Sequence, residues 1–129
     1  MKKLMLQTAR HTEFVDITER VQAAVAAAGL RDGVITVYVP HTTAGVAINE
    51  HADPDVVRDV NMVLDRLVPW QDPGYRHNEG NSAAHVKAIL TGPSVQVIVE
   101  AGRLALGVWQ GVFFCEFDGP RSREVWLSL

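Results

Sequence analysis

At 129 residues the sequence has the length of one domain, spanning 1–129, able to bury roughly two-thirds of its unfolded surface. With 47% apolar and 21% charged residues it has the composition of a globular chain, which sets disorder aside. A net charge of −3 argues against general nucleic-acid or anionic-membrane binding, and a single cysteine excludes an intramolecular disulfide and a cysteine-based zinc finger.

Lys2 and Lys3 precede an apolar stretch, Leu4-Met5-Leu6, that is too short for a secretory leader, and nothing later approaches a membrane span. The default expectation is a cytoplasmic protein. Residues 2–9 read as an opening strand. Asp16-Ile17-Thr18-Glu19 resembles a capping box, with Asp or Thr at the cap and Glu19 reaching back. Val21, Ala24, Val25 and Ala28 then recur at helical spacing until Gly29 stops the helix. Val34 to Val39 is rich in β-branched residues and predicts a strand with Ile35, Val37 and Val39 on one face. A hydroxyl-rich turn follows, His41-Thr42-Thr43-Ala44-Gly45, and Val46-Ala47-Ile48 reads as a short return strand into Asn49-Glu50-His51.

Asp53-Pro54-Asp55 starts a second helix, with a capping carboxylate and proline at the first helical position. Its predicted buried stripe is Val56, Val60, Val63 and Leu67, and Pro69 ends it. A loop from Trp70 to Glu79 leads to a third helix capped by Asn81 or Ser82, with Val86, Ile89 and Leu90 towards the core and His85 at the edge of that face. From Ser94 the chain is strand-rich. Val95, Val97 and Val99 alternate with polar or outward residues, Ala101-Gly102-Arg103 turns, and Leu104 to Asp118 is a long strand or a pair of strands. If the period holds, Gln110, Glu116 and Asp118 share a face with Val112 and Phe114. Cys115, inside that apolar run, is expected to be buried and inert. Asp118-Gly119-Pro120-Arg121 is a turn, and Glu124 to Leu127 closes the sheet.

The chemistry-bearing residues fall in four places: His41-Thr42-Thr43; Asn49-Glu50 with Asp53; the stretch His77 to His85; and Gln110 with Glu116, Asp118 and Arg121. In the third of these, Gly80 lets the backbone approach a ligand, and the first-turn N–H groups of the helix beginning at Asn81 or Ser82 suit an anion. The same pattern also suits a capped helix start with two surface histidines. His41, His77 and His85 are candidate ligands for zinc, and carboxylates with hydroxyls suit magnesium held between protein and diphosphate. No Ser/His/Asp elbow, phosphate-binding Gly-rich loop with Lys, or dinucleotide fingerprint is present, which disfavours nucleophilic acyl transfer.

Taken in order, His41-Thr42-Thr43-Ala44-Gly45, Asn49-Glu50 with Asp53-Pro54, Gly80 to His85, Leu106 to Gln110, and Glu116 to Arg121 resemble the YjbQ-like family, also called the secondary thiamine-phosphate synthase enzyme family. Valine at 108 stands where that family often has threonine. The resemblance implies an α+β fold, an antiparallel β-sheet sandwich with about three flanking helices, assembled as a homotrimer with clefts near subunit interfaces. It also implies a weak capacity to join hydroxymethylpyrimidine diphosphate to thiazole phosphate with release of pyrophosphate. On that reading the catalytic candidates are His41, Glu50, His77, His85 and Glu116. The substrate-binding candidates are Thr42, Thr43, Asn49, Asn81, Ser82, Gln110 and Arg121, around a small phosphorylated ligand and a divalent magnesium or zinc ion. Two other classes stay open: a metal-dependent hydrolase using the histidines, and a non-catalytic trimer that binds a phosphorylated metabolite.

Overall fold

The computed structural model describes residues 1–129 and arranges them as eight strands and three helices. In chain order these are β1 (Lys2–Gln7), β2 (Glu13–Asp16), α1 (Thr18–Ala28), β3 (Gly33–Tyr38), β4 (Ala44–Glu50), α2 (Pro54–Leu67), α3 (Ser82–Thr91), β5 (Ser94–Glu100), β6 (Arg103–Leu104), β7 (Gln110–Glu116) and β8 (Ser122–Ser128). Two antiparallel sheets result, one in the order β1-β8-β3-β5-β6 and the other in the order β2-β7-β4. The fold is therefore α+β with two packed antiparallel sheets and three helices, as expected. No helix is long and apolar enough to cross a membrane.

Period-two patterning explains the larger core. Ile35 and Val37 in β3, Val97 and Val99 in β5, and Val125 and Leu127 in β8 point to the same side and meet Val46, Val112 and Phe114 of the other sheet. Ile17, Val21, Ala24 and Val25 of the α1 region complete that cluster. Each fully buried valine, leucine, isoleucine or phenylalanine among them contributes roughly 1.5–3 kcal/mol. A second cluster lies on the opposite face of β7, where Phe113, Cys115 and Phe117 meet Ala84 and Ala88 of α3, with Val57 and Leu64 of α2 at its margin. Burial pushes the Cys115 thiol well above its ordinary range, in keeping with an inert side chain.

Several local expectations change in the folded chain. Of the two alternatives for the run from 104 to 118, the pair of strands is the one found, as β6 and β7, but the two belong to different sheets. The segment at 46–48 is part of the longer β4 and pairs with β7, not with the preceding β3. At α1, Asp16 does the capping: its Oδ1 accepts from the Thr18 N–H at 3.0 Å and the Thr18 hydroxyl at 2.6 Å, while Glu19 makes no return bond. Leu30 N–H to the Val25 carbonyl and left-handed Gly29 close the helix as expected. Asp53 caps α2 through the Asp55 N–H at 2.9 Å.

The faces of α2 and α3 are rotated from those expected. Helix α2 has no buried residue; Val57 and Leu64 touch the core, Val56 and Val60 of the expected stripe are half-buried beside them, and Val63 and Leu67 are exposed. In α3, Ala83, Ala84, Lys87 and Ala88 face inward, and Val86, Ile89 and Leu90 are 40%, 80% and 60% exposed. The reason is steric. Helix α3 lies so close to the sheet that a Cβ at Gly45 of β4 would come within 2.8 Å of the Gly92 carbonyl oxygen, and only small residues fit at such a separation. Lys87 tolerates burial because its ammonium reaches Asp65 of α2.

One charged pair ties the two sheets together. Glu116 at the end of β7 is fully buried and forms an ion pair with Arg123 of β8, itself 4% exposed. The Glu116 carboxylate also accepts from the Thr8 hydroxyl at 2.8 Å and the Asp118 N–H at 3.0 Å. Burial opposes its charge, but the bonds from Arg123, Asp118 and Thr8 outweigh this and hold its pKa below the ordinary value. Arg123 carries the contact onward to the Thr43 hydroxyl at 2.9 Å. Replacing Arg123 by Ala leaves a buried carboxylate unpaired and should cost about 3–5 kcal/mol. Urea unfolding followed by circular dichroism measures this, and a loss below about 1 kcal/mol would contradict the assigned role.

Candidate functional site: a histidine groove beside helix α3

The loop from Val39 to Thr43 leaves β3 and enters β4, and two contacts from β8 hold it. His41 Nε2 accepts from the Glu124 N–H at 2.9 Å, and Arg123 engages both the hydroxyl and the carbonyl of Thr43. Thr43 is thus buried and committed to the scaffold, whereas Thr42 lines open space. Burial and the nearby positive charge of Arg123 lower the His41 pKa from its ordinary value, against a weaker opposing effect of Glu124 and Glu116. His41 is therefore a neutral imidazole at neutral pH, with Nε2 occupied as an acceptor.

His41 and Thr42 form one wall of a cleft of about 270 Å³, and His85 and Ile89 of α3 form the other. His85 also lines an adjoining, more open cleft of about 380 Å³ with His77, Ser82 and Val86. The rings of His77 and His85 meet edge to face with centroids 5.4 Å apart. His85 is common to both clefts, so the groove presents three imidazoles and two hydroxyls along the start of α3. No side chain caps that helix, because Asn81 is turned away: its Nδ2 donates to Asp118 Oδ2 at 2.9 Å. Asp118 also anchors Arg121, which donates through Nη2 to Asp118 Oδ2 at 3.1 Å and through Nε to the Asp118 carbonyl at 2.8 Å. Asn81 is buried and acts as a strut; the Arg121 guanidinium stays half-exposed.

The other sequence candidates do not join this groove within one chain. Register places Ala44 opposite Glu116 and Glu50 opposite Gln110, at the two ends of the β4–β7 pair, roughly 20 Å apart. Asn49 and Glu50 line an apolar crevice of about 280 Å³ beneath α2. Gln110 uses its Oε1 to accept from the Gly107 N–H at 2.7 Å, which closes a tight loop. Glu116, expected as a catalytic acid, opens to no cleft, and its oxygens are taken by Arg123, Thr8 and the Asp118 N–H. His41, His77 and His85 do not converge on one point, and no group of three His, Cys, Asp or Glu side chains is arranged to hold a metal ion. The groove offers an ion at most the adjacent His77 and His85.

The roomiest polar cleft, about 620 Å³, contains none of the expected histidines. It is built around Asp16 and His51, whose Oδ2 and Nδ1 atoms lie 2.8 Å apart. Thirty-five positions separate them in the chain, and Asp16 reads locally as a helix cap. The sequence signals were His51 directly following Asn49-Glu50 and the nearby Asp53, which lines the cleft.

The acceptor role of half-buried His41 has a measurable consequence. Its imidazole should titrate below 6.5 in proton NMR, and because the folded value is depressed, its stabilising contribution is present above 6.5 and lost as pH falls through the folded pKa. The His41→Gln variant should flatten that part of the stability–pH curve; an unchanged curve would refute the assignment.

A family model described as UPF0047 protein YjbQ-like matches residues 2–129. UPF0047 protein YugU of Bacillus subtilis (strain 168) is 48% identical over 129 residues, covering 100% of this chain and 98% of the relative. UPF0047 protein MJ1081 of Methanocaldococcus jannaschii is 45% identical over 127 residues, covering 98% and 91%. The crystal structure of an uncharacterised conserved protein of the yjbq/upf0047 family from Clostridium acetobutylicum superposes with a TM-score of 0.97 at 50% identity, covering 99% of this chain and 98% of that one. A conserved hypothetical protein of Thermus thermophilus gives 0.93 at 46% identity, covering 100% and 99%. A match of this extent in both sequence and fold means that the chain belongs to the YjbQ-like UPF0047 family.

Proposed function

We propose that the groove between His41 and α3 binds a small phosphorylated ligand and that its imidazoles handle protons while a diphosphate leaves carbon, the C–O bond to it breaking as a C–N bond forms. The observation that carries this reading is His85: it lies in the first turns of an uncapped helix, touches His77, and faces both clefts. Free N–H donors and the positive end of the helix dipole favour an anion there, by about 0.3–1 kcal/mol per exposed contact. Affinity then needs converging groups, and the half-exposed guanidinium of Arg121, steadied by Asp118, is a further cation near Asn81.

The reaction to test first is the coupling of hydroxymethylpyrimidine diphosphate to thiazole phosphate. Departing pyrophosphate accumulates negative charge, which the α3 N–H groups and Arg121 would offset. His85 or His77, when protonated, would donate to the leaving oxygen, and neutral His41 would serve as a fixed hydrogen-bonding partner. A divalent cation would supply further charge neutralisation: His77 and His85 would hold zinc or a similar ion, whereas magnesium would be held mainly by the diphosphate oxygens.

Self-association into a homotrimer belongs to the same proposal. Exposed Val63, Leu67, Ile89 and Leu90 mark apolar surface on α2 and α3, and Ile89 borders the His41–His85 cleft. One chain alone does not bring Asn49, Glu50 and Gln110 to His41 and His85, so a site using both sets needs a neighbouring copy to supply one of them. Light scattering should return three times the chain mass at micromolar concentration; a monomer would remove both the trimer and the shared site.

Calorimetric titration with pyrophosphate and thiamine phosphate, with and without magnesium, tests the ligand class. Arg121→Ala should weaken binding by about tenfold or more while changing stability by less than about 1 kcal/mol. His85→Ala should abolish thiamine phosphate formation from the two substrates. Binding without product would favour a non-catalytic binder, and no binding at millimolar ligand would overturn the anion site itself.

A further inference from the structure

A second site is built where β2, the end of β4 and the start of α2 meet. The 620 Å³ cleft there falls in the size range of small-molecule sites and is lined by Arg10, Glu13, Asp16, His51, Arg58 and Asn61, among others. Its imidazole is held on three sides. The His51 backbone N–H donates to the Trp109 carbonyl at 2.9 Å, Asp16 Oδ2 lies 2.8 Å from Nδ1, and the ring lies against Gly111, where any Cβ would collide with it. An ionised Asp16 can only accept, so the proton of neutral His51 sits on Nδ1 and the Nε2 lone pair is left for a ligand. This is the arrangement that fixes tautomer and direction in carboxylate–imidazole pairs.

The charges lining the cleft are not equally available. Glu13 already accepts the Ala9 N–H at 2.8 Å, Asp53 the Asp55 N–H at 2.9 Å, and Asp16 both donors of Thr18 as well as His51. Arg10 and Arg58, by contrast, make no side-chain hydrogen bond or ion pair within the chain, although both line the cleft. The bonds to the acids come from neutral donors and leave the three carboxylates charged, so the lining as a whole does not favour an anion; what does is direct contact with the two unpaired guanidiniums. Acceptors are free as well: His51 Nε2, and the buried Oδ1 of Asn61, which has no donor. A ligand suited to both sets carries an oxyanion for the guanidiniums and an O–H for the acceptors.

We propose that the Asp16–His51 cleft is a second binding site, separate from the α3 groove, for a small hydroxylated oxyanion, with Arg10 and Arg58 on the anionic group and His51 Nε2 accepting a hydroxyl hydrogen bond. The phosphate ester and carboxylate forms share this chemistry. Arginine forks match either, so glycerol 3-phosphate and glycerate are the probes that separate them, with inorganic phosphate as the reference.

The test follows the His51 ring by heteronuclear NMR in the full chain, with His51→Gln identifying its signals. The ring should show the Nδ1–H tautomer, and glycerol 3-phosphate or glycerate should shift it saturably, whichever binds more tightly naming the anion class. Arg10→Gln/Arg58→Gln, with backbone spectra confirming the fold, should weaken that response by about tenfold or more, and Asp16→Asn should change the tautomer ratio. His85→Ala should leave the His51 response intact, which separates this site from the proposed α3 groove. An Nε2–H tautomer, no saturable shift at millimolar probe, or an undiminished response in the double arginine variant would each overturn the proposal.

Discussion

Strand β7 has no side facing water, and the rest of the molecule is arranged around that constraint. Val112 and Phe114 point into the space between the two sheets, while Phe113, Cys115 and Phe117 point towards α2 and α3. A strand buried on both faces must be covered twice, and the small residues of α3 allow the second cover to lie close. Where β7 ends, the chain places Glu116, a charge that tolerates burial only because Arg123 and Thr8 enclose it. Arg123 in turn holds Thr43 and lies close enough to lower the proton affinity of His41. The geometry of the histidine groove thus depends on a buried ion pair that never contacts the groove.

The two polar clefts differ in how they hold their imidazoles. Backbone and helix ends position His41 and His85, so that groove combines N–H donors with one ring, His41, whose proton affinity burial and Arg123 lower. A carboxylate and a bare glycine backbone orient His51, which leaves one nitrogen directed into space. Each of these imidazoles has a side free to face a small molecule, but neither cleft alone gathers all the acids that the sequence blocks supply. Asn49, Glu50 and Gln110 are separated from His41 and His85 by the full length of β4. Within one chain, no cleft draws on both ends of that strand.

Much of the fold was legible in the sequence because alternation and spacing are local properties. Ile35, Val37 and Val39 announced a half-buried strand, Asp53-Pro54-Asp55 a helix start, and Gly29 a helix stop, and each of these depends only on near neighbours. The closeness of His77 and His85 was also readable, since a short loop and one helix turn separate them. Tertiary structure alone decided which face of α3 turned inward. Bulk favoured Val86, Ile89 and Leu90, but the separation between helix and sheet admitted only alanines, and that separation is set by Gly45 on another strand. It also decided the fate of the acids. Glu116 became a buried strut because Arg123 and Thr8 arrive from distant parts of the chain, and Asp16 met His51 because β2 and β4 flank β7. Local pattern determines which backbone each segment adopts; long-range packing determines which polar group is left free to do chemistry.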